Sequence, residues 1–258
     1  MSNDPIHQFH TNNEVDVPLA DLPPLFGVDV GDLALNNAAV MMLAGVGLTA
    51  AFYYWAMKPA ALVPGRAQVV AETGYNFIHG MVKDAAGEEG VKRFFPFVFT
   101  LFLFIFAANM LGMFPYFFTP TSQIIVTATM ALMVFFTVLV LGLAKNGVKF
   151  FKLFVPSGVP IYILPLVVVI EIISFFSRPL SHSVRLFANM LAGHITLKVF
   201  GGFVVMLLGA GSFSLLSPLP LLFAVALTAL EFLVAFLQAY VFSMLTCMYL
   251  HDALHPGH

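Results

Sequence analysis

The stretch Arg178–Lys198, RPLSHSVRLFANMLAGHITLK, places Arg178, His182, Arg185, Asn189, His194 and Lys198 within 21 residues of a chain that is elsewhere close to hydrocarbon. A helix rises ~1.5 Å and turns ~100° per residue, so Arg178 and Arg185, seven apart, fall on nearly one face. Glu171, seven positions earlier, continues the same stripe. A charge inside an apolar run costs ~2.5–3.5 kcal/mol on insertion scales and normally marks an ion path or a partner's counter-charge. The duller alternative is a wet loop between two ordinary spans.

Composition sets the class. Of 258 residues, 60% are hydrophobic and 9% charged, with a mean hydropathy of +0.95. Soluble domains carry about 25% charged residues, so the chain reads as an all-α integral membrane protein. The net charge of −2 argues against a nucleic-acid partner. A single cysteine, Cys247, leaves no disulfide framework or zinc site. Walker, GxSxG and HExxH patterns are absent, so neither an enzyme activity nor a cofactor or metal is expected. His7 and His10, or His251, His255 and His258, are terminal and solvated rather than a metal centre.

Residues 1–36 contain six acidic residues and no Lys or Arg, which fits neither a secretory signal nor a transit peptide. They are expected to be an acidic external tail. A first span is expected over 37–57, with Tyr53, Tyr54 and Trp55 as an interfacial belt. Residues 58–93 hold Lys58, Arg66, Lys83, Lys92 and Arg93 and so belong on the cytoplasmic side. Val70, Phe77, Met81 and Ala85 recur there at helical spacing and predict an interfacial amphipathic helix. Two further spans fill 94–144, joined by the uncharged link TPTSQ, and Lys145, Lys149 and Lys152 return the chain to the cytoplasm.

From Pro160 to Leu208 the sequence stays apolar for nearly 50 residues. One helix of that length would be roughly 70 Å long, against a ~30 Å hydrocarbon core. It either breaks near Arg178–Arg185 or is one long, strongly tilted or curved helix. A break would put both arginines outside, against the positive-inside rule. The last segment runs to about Leu250, followed by a polar tail, 251–258, and its strongly polar interruptions are Glu231 and Gln238, seven apart on one face. If Arg185 lies level with Gln238 in an antiparallel pair, facing positions add to about 423, and His194 comes within about 3 Å of Glu231's level. Each residue also has a plainer use. Glu231 and His194 can hydrogen-bond between helices, Gln238 and Asn109 can join helices, and Glu171 can neutralise Arg178. Arg185 has no well-placed carboxylate in the chain, which points to a counter-charge on another protein. A secondary transporter with Arg185 as an anion site would require inverted repeats, and residues 37–144 and 160–250 show none.

SVRLFANMLAGH (183–194) resembles the signature of the subunit a family of F-type ATP synthases. EFLVAFLQAYVFSMLTCMYLHD (231–252) is similar to that family's last helix in its mitochondrial and alphaproteobacterial versions. ANMLGMFPYFFTPTSQ and VIEIISFFSRPLS add support in the expected order. The resemblance covers about 95–252. It implies about five membrane helices, the last two, over 160–250, forming a long, strongly tilted antiparallel hairpin against a rotating ring of c subunits. It implies that Arg185 faces the ring carboxylate and separates two half-channels, with Gln238 beside it. His194 and Glu231 would line the outer half-channel and Glu171 the cytoplasmic one, with Asn189 and Asn109 near the path. It further implies a non-catalytic subunit that works with the c-ring and b-type peripheral-stalk subunits in a bacterial inner membrane. Its N-terminus would be periplasmic, its C-terminus cytoplasmic, and protons its sole small substrate. His182 departs from the family pattern and receives no role.

Overall fold

The computed structural model describes residues 37–58, 64–113, 119–155, 160, 162–209 and 211–254. The acidic segment 1–36, with His7 and His10, and the terminal His255 and His258 lie outside them. Regular structure among the described residues is helical: α1 (Asn37–Met57), α2 (Arg66–Gly112), α3 (Ile124–Asn146), α4 (Leu164–Gly209) and α5 (Pro218–Leu254), with short 3-10 turns between. Hydrocarbon offers the backbone no partner, so each spanning segment must satisfy its own N–H and C=O groups, which a helix does. All five are long and apolar enough to cross a membrane.

α1 and α3, of 21 and 23 residues, match a single crossing. α4 and α5 do not. α4 runs 46 residues without interruption, so the chain does not break at Arg178–Arg185. Its axis is ~69 Å long and must lean ~50° or more from the normal to stay within the ~40–45 Å of core plus interfaces. Pro179 removes one hydrogen bond, to the carbonyl of Phe175. Phe175 is itself buried among the rings of Phe135 and Phe154, at 5.1 and 5.4 Å, which anchor the helix at the carbonyl that loses its partner.

α4 and α5 pack antiparallel. Phe200 stacks on Phe223 at 5.9 Å, Asn189 meets Gln238, and Arg178 reaches Asp252. Facing residue numbers thus add to 423 at one end, the value expected, and to 430 at the other. Part of that drift is the reach of the Arg178 side chain. α5 also packs along α2 and α3, where Ile78, Val98, Ile105, Phe242 and Leu250 are fully buried or nearly so. It continues as helix through Leu254, so His251 and Asp252 belong to it rather than to a solvated tail.

α2 reverses direction within itself. Gly87 has φ 69° and ψ −177°, a conformation open essentially to glycine alone. Across it Tyr75 meets Phe95 and Phe99 at 4.7 and 5.8 Å, and Phe77 meets Phe102 at 6.3 Å. On a continuous helix residues 75 and 99 would be ~36 Å apart, so 66–86 folds back along the second span. Its packed face is Ala71, Ile78, Met81, Val82 and Ala86, while Val70 and Phe77 remain exposed. The Lys83–Glu88 pair, 2.6 Å and exposed, straddles the turn.

This reversal is testable with a Tyr75→Cys, Phe99→Cys pair in a Cys247→Ser background. A thiol-reactive linker of about 8 Å should join the two peptides within one chain in high yield, read by mass spectrometry. A straight helix could not be bridged by it.

Candidate functional site

The inward side of α4 is His182, Ser183, Leu186 and Met190, all buried. Arg185, a ~100° step from Leu186, therefore points away from the bundle and is exposed. Three ion pairs occur among the described residues, Lys83–Glu88, Arg178–Glu171 and Arg178–Asp252, and Arg185 takes part in none. Beside it on the exposed face lie Ser181 and Ala188, small enough to let another helix come close.

Nine residues towards the C-terminal end of α4, and on the other side of the helix, a polar cluster faces inward. His194 and Glu231 line one cavity of about 160 Å³ with Asn189, Gly193, Thr196 and Met113, room for several waters. The two oxygens of Glu231 are out of solvent contact and meet no hydrogen-bond donor among the described residues. A carboxylate at this depth needs donors, and water in the adjoining cavity can supply them. His194 Nε2 lies 3.1 Å from Thr119 Oγ1. Asn189 Nδ2 donates to Gln238 Oε1 at 3.3 Å, so Gln238's amide is held by Asn189.

Asn109 is fully buried and engaged at both ends of its amide. Its Nδ2 donates to the Ala235 carbonyl at 3.3 Å, and its Oδ1 accepts from Thr121 at 2.8 Å. It ties α2, the 119–122 turn and α5 together. Towards the N-terminal end of α4, Arg178 lies between two carboxylates, Glu171 at 3.7 Å and Asp252 at 3.6 Å. Its guanidinium is also 4.8 Å from the centre of the Tyr249 ring. His182 packs edge-on against Phe242 and Tyr249 at 4.8 and 5.3 Å, with a buried Nε2 that has no partner among the described residues.

The structure thus brings His194, Glu231, Asn189 and Gln238 into one neighbourhood, sets Glu171 at a separate one with Arg178, and leaves Arg185 outside both. Three participants escape the sequence reading. Asp252 was placed in a wet tail, because where a helix ends past its last apolar residue is weakly encoded. Thr119 and Thr121 sit in a link read as external, yet both are buried, at 3% and 0% exposure. A run of hydroxyls beside an intramembrane Asn was the available signal.

Gly193 is what admits the Glu231 carboxylate: a Cβ there would lie 2.5 Å from Oε1. Gly193→Ala should destabilise by about 1–3 kcal/mol, lowering the melting temperature of the detergent-solubilised protein. Gly201→Ala, where nothing lies within 4 Å, should be neutral or stabilising by up to about 1 kcal/mol.

Comparison with known proteins follows the same geography. Residues 38–251 match the family model described as ATP synthase A chain. A protein named ATP synthase subunit a from Maricaulis maris is 64% identical over 236 residues, 88% of this chain and 91% of that one. Another of that name, from Rhizobium etli, is 57% identical over 258 residues, 100% of this chain and 99% of its own. One from Brucella anthropi, ATP synthase subunit a 1, is 56% identical over the whole of both chains. The match spans every described helix and the polar clusters between them, and the chain belongs to the ATP synthase A chain family.

Proposed function

We propose that the chain is the proton-conducting stator subunit a of an F-type ATP synthase, non-catalytic by itself. It works in a complex whose c-ring it faces and whose b-type peripheral stalk holds it still. Its place is the bacterial inner membrane, N-terminus towards the periplasm and C-terminus towards the cytoplasm, as the concentration of Lys and Arg in 58–93 and 145–152 favours. Arg185 carries the reading: a guanidinium at mid-helix on an exposed, small-residue face, with no ion pair among the described residues. Leaving such a charge against lipid is costly, and an acidic group on a neighbouring subunit removes the cost.

The chemistry follows from that pairing. A ring carboxylate cannot rotate through lipid ionised, so it takes a proton on one side before turning and releases it on the other. Arg185, effectively always charged, favours the ionised carboxylate as it passes. It also repels a proton moving straight across. His194 and Glu231, at a cavity ~13 Å along α4 from Arg185, exchange protons with the outer compartment as a coupled pair. Glu171, ~21 Å the other way, belongs to the cytoplasmic exit, with Arg178 and Asp252 beside it. Asn189, Gln238 and Asn109 orient the path without titrating.

Arg185→Ala in inverted membrane vesicles tests this. ATP-driven acidification should fall by at least about a hundredfold, the scale of a lost electrostatic gate, while the complex still assembles, and passive proton leak should rise. Near-normal pumping in an assembled complex would make the arginine structural and the mechanism wrong.

A further inference from the structure

We propose that His182 is a further proton-path residue, on the cytoplasmic side of Arg185: its imidazole and one water beside it pass protons between a partner's carboxylate at Arg185 and the carboxylates around Arg178. The proposal deepens the proton-path reading and rests on it.

A buried atom without a partner leads there. His182 is 7% exposed, packs edge-on against Phe242 and Tyr249, and its Nε2 meets no hydrogen-bond partner among the described residues. An imidazole nitrogen at such depth needs one. Next to it is a cavity of about 20 Å³ bordered by His182, Phe175, Arg178, Pro179 and Tyr249, the size for a single water. Pro179 has no N–H, so the Phe175 carbonyl lacks its helical donor. One water serves both groups. It donates a hydrogen to the carbonyl, and it either accepts from Nε2–H or donates its second hydrogen to the bare nitrogen, so both tautomers are satisfied. The α3 side of the cavity, Ala131, Val134 and Val138, is apolar and does not compete for that water.

Its position on the helix gives the site a use. His182 is three residues from Arg185 and four from Arg178, ~4.5 and ~6 Å along the axis and within ~60° of each around it. It occupies the step between the gate and the Arg178 cluster. The charged and titratable groups about it are these two arginines on its own helix, Tyr249 from α5 and, beyond Arg178, Glu171 and Asp252. A proton leaving a partner's carboxylate at Arg185 adds to the neutral imidazole. The imidazolium carries N–H at both nitrogens, so Nε2 releases one proton to the water. The water in turn releases one towards Glu171 and Asp252, and the ring is neutral again. The guanidiniums on either side repel the charge on the ring, so the proton moves on instead of resting there. Proton uptake from the cytoplasm runs the same steps in reverse.

The test is ATP-driven acidification of inverted vesicles by the assembled complex, with the outer (cytoplasmic-side) pH and the lumenal pH varied separately. His182→Gln, His182→Phe, Pro179→Ala and Arg185→Ala are each compared with the unsubstituted complex at the same pH, which cancels the pH dependence of ATP hydrolysis itself. Glutamine keeps a polar group and removes the titratable one, and phenylalanine keeps the ring packing. Both should lower the rate about tenfold or more, and their relative rates should vary with outer pH and not with lumenal pH. Pro179→Ala gives the Phe175 carbonyl an N–H of its own and so takes an acceptor from the water. It should lower the rate about threefold with His182 intact. If phenylalanine prevents assembly, glutamine and Pro179→Ala carry the comparison. Normal rates in His182→Gln and Pro179→Ala, with Arg185→Ala inactive, would overturn the role of His182 and leave the proton path standing. A lowered rate with an unchanged outer-pH profile would make His182 a packing residue and overturn the proposal equally. Near-normal pumping in Arg185→Ala would overturn the proton path itself, and this proposal with it.

Discussion

A guanidinium that no carboxylate among the described residues neutralises is the constraint on which the rest of this molecule turns. Arg185 sits near the middle of a helix apolar on both sides of it. The charge cannot be withdrawn by deprotonation, because guanidinium stays protonated at any physiological pH. Burying it in the bundle would require a partner carboxylate there, and the two within reach of α4's N-terminal half, Glu171 and Asp252, are both committed to Arg178. The remaining solution is to present the charge outward and let an assembly partner satisfy it. That fixes which face of α4 is exposed, and so which face, with His182, Ser183, Leu186 and Met190, packs against the other helices.

The inward face shows how a membrane bundle holds its helices when apolar attraction cannot. Lipid is as apolar as Leu or Phe, so burying more hydrophobic surface between helices yields little, and small residues and polar contacts take over. Asn109 joins three elements through one amide, Thr127 Oγ1 and Ser183 Oγ join α3 to α4 at 3.2 Å, and Asn146 donates to the Ala253 carbonyl at 2.8 Å. The ring packing around Phe175 and Phe150 gives shape rather than affinity. Gly87 works differently: it lets 66–86 fold back, so that the rings of Tyr75 and Phe77 contact the second span and α5.

This division explains what could be read from the chain before its structure. Helical spans over 37–57 and from Ile124 onward were legible because hydrocarbon thickness sets their length. The antiparallel pairing of α4 and α5 was legible from scarce polar residues, although Gln238, expected level with Arg185, meets Asn189 instead, about one turn along α4. The choice of which apolar face packs inward was not. Ile172 and Ile173 face outward while Phe175 and Leu186 are buried, and hydropathy does not separate them. The stripe Val70, Phe77, Met81, Ala85 is divided in the structure, with Met81 packed inward and Val70 and Phe77 exposed. The burial of Thr119 depends on a turn between helices, where no period operates, and the capture of Asp252 by Arg178 depends on how far α5 continues past its apolar run.

The spacing of the polar groups also bears on why transport requires a moving partner. The cavity at His194 and Glu231 and the carboxylates around Arg178 lie on opposite sides of Arg185's level along α4. Between them the inward face offers His182, Ser183, Leu186 and Met190 from α4 and Ala235 and Ala239 from α5, all buried. Polar contacts in that interval are Asn189 to Gln238 and Ser183 to Thr127. Amides neither take up nor release protons near neutrality. His182 is a titratable group within that interval, packed edge-on against Phe242 and Tyr249 with no partner for its Nε2 among the described residues. The outward route passes the fixed positive charge of Arg185, which repels a proton. A carboxylate on a neighbouring subunit can be loaded at one cluster, carried past in neutral form and unloaded at the other. In the proposed reading, the two clusters are coupled by a partner's carboxylate passing Arg185 rather than by groups of this chain.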